Sequence, residues 1–202
     1  MKKIVIFGGT GNTGLCSLEH SVKSGFQTRV FVRDEKKIPE HLRDKVEAVV
    51  GDVTNADEVS QAISGVDGVV VVLGTRNDLK PTTVLSEGMK NIIDAMKKHN
   101  VELVSVCLSA FLFYEPEKVP AIFKDLNADH QRMFDLLKES GLKWVAVFPP
   151  HIAESPSTEY VIKHDESPGR IVSKYDLGEF LVKSLNQPEH HQKVCGIATK
   201  NP

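Results

Sequence analysis

The stretch Lys2-Lys3-Ile4-Val5-Ile6-Phe7-Gly8-Gly9-Thr10-Gly11-Asn12-Thr13-Gly14-Leu15-Cys16 decides the fold. It opens as a short apolar strand, passes through a glycine-rich turn and enters a helical run. A strand that ends in such a turn and opens a helix is a phosphate-binding device. The missing side chains let the backbone approach a pyrophosphate, and the first free N–H groups of the helix, at its positive dipole end, point at it. The glycines fit two overlapping patterns, Gly8-x-x-Gly11-x-x-Gly14 and Gly9-x-Gly11-x-x-Gly14. A bare glycine pattern is weak. Its place between strand and helix makes it a dinucleotide signature rather than a plain tight turn.

Outward from this turn, strand and helix alternate. Apolar runs rich in Val and Ile occupy 3–7, 28–32, 46–50, 68–73, 103–107 and 143–148. They are too continuous for half-exposed strands and suit a parallel sheet covered on both faces. Helical segments fall between them: 13–24 after the glycine turn, and 55–64 from an Asn55 cap with Glu58 three residues on. A third, 83–99, carries Val84, Met89, Ile92, Ile93 and Met96 on one stripe, and 124–140 ends at Ser140-Gly141, where the glycine supplies a left-handed cap. This predicts the α/β class, a single domain over 1–202 with a doubly wound parallel sheet. After Pro149-Pro150 the order loosens until a final helix at 176–186, capped by Asp176.

The 202 residues suffice for one domain with a substantial core. With 41% hydrophobic and 26% charged residues and a net charge of −2, neither nucleic acid nor an anionic membrane is implied as a partner. No apolar run approaches the roughly 18 residues of a membrane span, and no cleavable signal is expected. The 3 cysteines, Cys16, Cys107 and Cys195, have no metal-type spacing and read as reduced thiols in the cytosol. His190-His191 reads as surface, with no third ligand to suggest a metal.

The second strand bears on the cofactor. In a dinucleotide fold, the residue after it meets the adenosine ribose; a carboxylate there suits NAD and repels the 2′-phosphate of NADP. Here Arg33 stands at that place, about 20 residues beyond the glycine turn. Its guanidinium can clamp a phosphate bidentately, with Lys36 and Lys37 adding charge. Asp34 is the counter-signal, since a one-residue slip aims it at the ribose. Asp52-Val53 follows the third strand, where the carboxylate either accepts from the adenine amino group or caps its own turn. Gly74-Thr75-Arg76 follows the fourth, where a glycine lets the nicotinamide half lie against backbone.

Many reductases of this fold use a Tyr-x-x-x-Lys pair on one helix face. Tyr114-Glu115-Pro116-Glu117-Lys118 has that spacing, but Pro116 excludes a regular helix interior and Pro120 breaks the segment again. What remains at the strand ends is Ser109, past the fifth strand, and His151, past the sixth. A serine hydroxyl can orient an acceptor, and a histidine can supply a proton near neutral pH. The alternative reading of each is a loop-holding residue. Cys107 reads as a small buried hydrophobe.

These segments resemble a known family. Gly8–Gly14, Val32-Arg33-Asp34, Gly51-Asp52-Val53, Leu73-Gly74-Thr75-Arg76-Asn77-Asp78-Leu79, Pro81-Thr82-Thr83-Val84, Ser109-Ala110-Phe111-Leu112, Gly141-Leu142-Lys143 and Val147-Phe148-Pro149-Pro150-His151-Ile152 are similar to the biliverdin reductase B family, also called NADPH flavin reductases or biliverdin-IXβ reductases. The likeness runs to about residue 186. It implies a Rossmann-like fold of the atypical short-chain dehydrogenase (NmrA-like) kind. The activity it implies is NADPH-dependent reduction of flavins (FMN, riboflavin) and of biliverdin IXβ to bilirubin IXβ, by a cytoplasmic monomer. The cofactor residues that it implies are Gly8, Thr10, Gly11, Asn12, Thr13, Gly14, Arg33, Asp52, Val53, Gly74, Thr75, Arg76, Leu85, Cys107, His130, His151 and Ile152, with Lys36 and Lys37 in a less strict region. Ser109 and His151 fall at the substrate end, and the pocket is expected from segments 76–82, 109–123 and 151–175. The family's transfer of nitric oxide groups uses two cysteines; Cys107 matches the first, but Ser184 stands at the second. The rival readings are a non-catalytic NADP(H) redox sensor and a sugar-nucleotide epimerase or dehydrogenase, which would need the missing Tyr–Lys pair.

Overall fold

A computed structural model of the chain describes residues 1–200. Its elements are β1 (Lys3–Phe7), α1 (Asn12–Lys23), β2 (Gln27–Val32), α2 (Glu40–Arg43), β3 (Val46–Val50), α3 (Ala56–Ile63), β4 (Gly68–Val71), α4 (Val84–Lys98), β5 (Leu103–Cys107), α5 (Lys124–Glu139), β6 (Lys143–Phe148), β7 (His151–Ala153), β8 (Tyr160–His164), β9 (Ile171–Ser173), α6 (Lys174–Lys183) and β10 (Lys193–Thr199). The main sheet has 8 strands in the order β3-β2-β1-β4-β5-β6-β10-β8, and β7 pairs with β9 apart from it. Within the main sheet only the β10–β8 pair is antiparallel. This is the single-domain α/β, doubly wound architecture.

Two cores explain why the central runs are continuously apolar. In β1, Val5 and Phe7 join one cluster while Ile4 and Ile6 join the other, and each is 0% exposed. In β6, Trp144, Ala146 and Phe148 face the first cluster, and Val145 and Val147 the second. A strand buried on both faces has no polar side to show. On the first face α3, α4 and α5 bring Ile63, Met89, Ile92 and Met133; on the second α1 and α6 bring Leu18, Leu177 and Phe180. Each such side chain contributes about 1.5–3 kcal/mol by leaving water.

The run 46–50 is an exception to the expected two-sided cover. As β3 it forms the sheet edge, with Glu47, Ala48 and Val50 exposed. Glu47 there ties down Lys3 at 2.6 Å and Arg29 at 3.0 Å, and its charge guards the open edge. The region after Pro150, expected to be irregular, contains β7 to β10. The last helix starts at Lys174 under a Ser173 cap, not at Asp176. Asp176 lies buried in its first turn and accepts from the Ser157 hydroxyl at 2.5 Å and the Thr158 amide at 3.2 Å, fastening that segment. His190, expected to lack ligand-type neighbours, meets His164 of β8 and Cys195 of β10.

Candidate active site

The strand order places the site. From β1 the chain moves outward through β2 to β3, then returns to β4 on the other side of β1. Connections leaving β1 and β4 therefore diverge and open a crevice at the carboxyl ends of the strands, the place where such sheets bind ligands. The glycine turn and the loop after β4 form its walls.

The turn is a backbone-on-backbone junction. Gly8 has a left-handed φ of 82°, and a Cβ on it would overlap the Val72 carbonyl oxygen. A Cβ on Gly14 would overlap the Gly8 carbonyl oxygen. Gly11 stands in the cap position of α1 and offers no side-chain cap, and the first turn of the helix contains no acidic residue. The Leu15 amide donates to the Gly11 carbonyl at 2.9 Å. Among the described residues nothing accepts from the amides of Asn12, Thr13 and Gly14. Unpartnered donors at the positive end of a 12-residue helix fit a pyrophosphate.

The sequence left Arg33 and Asp34 in competition. Asp34 Oδ1 accepts from the Lys36 amide at 3.0 Å and caps the short 3-10 turn Glu35–Lys37. Arg43 clamps the same turn through the carbonyls of Ile38 (3.0 Å) and Lys36 (3.2 Å). Asp34 thus serves the turn, while Arg33, Lys36 and Lys37 stay exposed. Asp52 also serves its own turn: its Oδ1 accepts from the Thr54 hydroxyl at 2.6 Å and amide at 2.8 Å. These bonds, with help from Arg33, hold its carboxyl below the usual range. Val53 is half-buried against the first core.

At the end of β4, Gly74 is exposed and a Cβ there would meet nothing within 4 Å, so the space beside its backbone is open. Thr75 accepts from the Asp78 amide at 3.1 Å. Arg76 and Asn77 hold consecutive left-handed φ values of 53° and 65°, a costly conformation typical of ligand-binding loops. Ser109 is half-buried and its Oγ accepts from the Phe111 amide at 3.1 Å. Its loop role is real, and the hydroxyl proton remains available for another acceptor. His151 exposes its side chain at the start of β7 while its amide donates to the Arg170 carbonyl at 3.2 Å. Ile152 packs against the second core.

Three of the expected residues are buried or held by the fold. Leu85 is 2% exposed and its amide donates to Asp129 Oδ2 at 3.0 Å, so neither backbone nor side chain is free for a cofactor. Cys107 is buried, and burial pushes its thiol up to about 12, which works against the thiolate that nitrosyl transfer needs. Ser184, at the place of the second cysteine, is fully buried against Ser105. His130 sits half-buried on α5, where burial lowers it to about 4, so at neutral pH it is an uncharged imidazole. Tyr114 ends one 3-10 turn and Lys118 lies in the next, paired with Glu115 at 2.9 Å.

Two residues escaped the sequence reading. Lys174 Nζ lies 3.2 Å from Asn12 Oδ1 and 2.6 Å from Glu154 Oε2, beside the cradle. Asp129, fully buried on α5, accepts from the Leu85 and Ser86 amides, the Ser86 hydroxyl and Arg132 Nε, capping α4 from outside. Neither has a local signal, because each acts across a long sequence separation.

Comparison with known proteins agrees with this geometry. An uncharacterised chloroplast protein of Arabidopsis thaliana is 27% identical over 222 residues, covering 98% of this chain and 77% of its own. A short-chain dehydrogenase/reductase of Veillonella parvula in complex with NADP superposes with a TM-score of 0.81 at 18% identity, over 99% of this chain and 95% of that one. An anaerobilin reductase of Escherichia coli O157:H7 superposes with a TM-score of 0.84 at 15% identity, over 100% and 98%. These two structural likenesses are of fold. The sequence pattern of the NAD(P)H-binding family matches residues 8–188. With that match over most of its length, and with a helix terminus left open for a pyrophosphate, the chain belongs to the NAD(P)H-binding family.

Proposed function

We propose that the protein is an NADPH-dependent reductase of flat, conjugated acceptors: flavins such as FMN and riboflavin, and biliverdin IXβ, reduced to bilirubin IXβ. The observation that carries this reading is the distribution of exposed apolar surface. Among the described residues, Val50, Val84, Tyr114 and Ile122 are large hydrophobic side chains left exposed, and they finish β3 or follow β4 and β5 at the carboxyl end of the main sheet. Apolar surface gathered on one rim marks a binding site. There Phe111 stacks on Phe123 with centroids 5.2 Å apart and meets the edge of Tyr114 at 5.8 Å, an aromatic wall suited to a ring system. The anaerobilin reductase of similar fold adds weight, since a tetrapyrrole-like acceptor is of this kind.

NADPH rather than NADH is favoured because Arg33 meets the ribose position while Asp34 is spent on its turn. When bound, NADPH supplies a hydride, which a flavin takes at N5 and biliverdin at its central methine carbon. The chain holds the pyrophosphate on the amides of Asn12, Thr13 and Gly14, the 2′-phosphate on Arg33 with Lys36 and Lys37, and the nicotinamide against Gly74 and Thr75. Ser109 orients the acceptor through its hydroxyl proton. His151 borders the nicotinamide end and relays a proton from solvent. No strong protein acid is needed, because a conjugated acceptor delocalises the incoming charge. The pocket is bounded by segments 76–82, 109–123 and 151–175. The protein acts as a monomer in the cytoplasm.

Mixing the protein with NADPH and FMN, and separately with biliverdin IXβ, tests this through loss of the near-ultraviolet NADPH absorbance. Consumption with either acceptor, slowed in Ser109→Ala, is expected. Binding of NADPH without consumption would instead make the protein a redox sensor of the same fold.

A further inference from the structure

Away from the crevice, a second group of chemistry-bearing side chains comes together at the far side of the sheet. Cys195 of β10 and His164 of β8 are directly opposed partners in the antiparallel pair, which sets their side chains on one face. The short 3-10 turn Pro188–His190 closes over them and adds His190. His164 Nε2 and His190 Nδ1 are 2.9 Å apart, and the two imidazoles with the Cys195 Sγ offer ligand atoms that all lie within 4.8 Å of one another. The His190 ring is held edge-on to Phe180, with centroids 5.3 Å apart.

We infer that His164, His190 and Cys195 form a site for one Zn2+ ion, separate from the cofactor crevice and independent of the reductase reading. One thiolate and two imidazoles are the donor set of zinc and its softer congeners, and oxygen-seeking Mg2+ or Ca2+ would not choose it. Tetrahedral zinc with bonds of about 2.0–2.3 Å needs its ligand atoms about 3.3–3.7 Å apart, so small side-chain rotations convert the present cluster into a coordination shell. The approach is graded: Cys195 is fully buried, His190 half-buried and His164 exposed, leaving the fourth position to water from the solvent side. Burial, with Asp165 nearby, pushes the Cys195 thiol up to about 12, and burial lowers His190. When the metal–sulfur bond forms, Cys195 gives its proton to solvent and the cation compensates the buried thiolate. The ion then cross-links β8, β10 and the turn before β10.

Titrating the chelator-treated full chain with Cd2+ tests the site through the ultraviolet thiolate-to-cadmium charge-transfer band. The band should saturate at one equivalent and be suppressed by prior Zn2+. His164→Ala, a change at an exposed residue that leaves the core intact, should abolish it or demand at least about tenfold more Cd2+. Cys195→Ser should abolish it, and Cys16→Ser should leave it unchanged. No band at all, a band indifferent to His164→Ala, or a band lost in Cys16→Ser overturns the assignment.

Discussion

α1 and α4 both start at the carboxyl end of the sheet, beside the same crevice, and their N-termini are treated in opposite ways. At α1 a glycine stands in the cap position, no acid occupies the first turn, and three successive amides are left without partners among the described residues. At α4 the buried carboxylate of Asp129 takes the Leu85 amide at 3.0 Å and the Ser86 amide at 3.2 Å, and Arg132 backs it at 3.0 Å. Every helix presents orphan donors at this end. α4 satisfies them with a protein anion and so becomes structure. α1 leaves them to an anion from outside and so becomes a site. That contrast explains why the Leu85 amide, unlike those of α1, already has a protein acceptor.

The heaviest blow to the contrast would fall on Gly14→Ala. In an ordinary helix interior this change stabilises by about 1 kcal/mol. Here the added Cβ would meet the Gly8 carbonyl oxygen, so the sign should reverse, with a loss of about 1–3 kcal/mol in urea unfolding. NADPH affinity, followed by nucleotide fluorescence, should fall more than about 100-fold, or about 2.7 kcal/mol.

Opening the closed terminus is the converse. Asp129→Ala strands two buried amides and should cost about 2–4 kcal/mol of stability while changing NADPH affinity less than about twofold. Equal damage to affinity would mean that α4 belongs to the site after all. Arg33→Glu leaves both termini intact and changes only the charge at the ribose. It should weaken NADPH about 10–100-fold, spare NADH and reverse the coenzyme preference in a steady-state assay.

A smaller effect tests the neighbourhood of the Asp129 cap. Burial lowers His130 from 6.5 to about 4, so between those values the unfolded chain binds a proton that the folded chain does not. Stability should therefore fall as pH drops through this window, by about 1–2 kcal/mol at about pH 5, and His130→Gln should remove most of that slope in pH-dependent melts. Smallest of all, Tyr114→Phe should change the catalytic rate less than about twofold, because Tyr114 and Lys118 share no helix face.

The contrast also marks what could be read from residues in order. The open terminus was legible because its determinants are contiguous: strand, glycine turn and helix lie within residues 3–23. The buried central strands were legible because two-sided burial demands unbroken Val and Ile. The capping of α3 by Asn55 is likewise local, accepting from Asp57 and Glu58. The closed terminus was not legible, because its anion comes from a residue more than one element away. The same holds for Lys174, which reaches Asn12 across 162 positions. β8 and β10 hid for another reason. Each mixes polar and apolar residues, and Gly196 breaks the apolar pattern within β10 at a place where the Glu166 carbonyl leaves no room for a Cβ. The edge strand β3 reads as apolar although Val50 is 53% exposed, since its composition does not reveal its place in the strand order. Asp34 and Asp52 were ambiguous because a carboxylate that caps a turn and one that meets a ribose look alike until the bonds are known.

Amide hydrogen exchange by NMR, with and without NADP+, tests the contrast most directly. The amides of Asn12, Thr13 and Gly14 should exchange much more slowly with NADP+ bound, while those of Leu85 and Ser86, already held by Asp129, should keep their rates. Unchanged exchange at Asn12, Thr13 and Gly14 in the saturated complex would contradict the account.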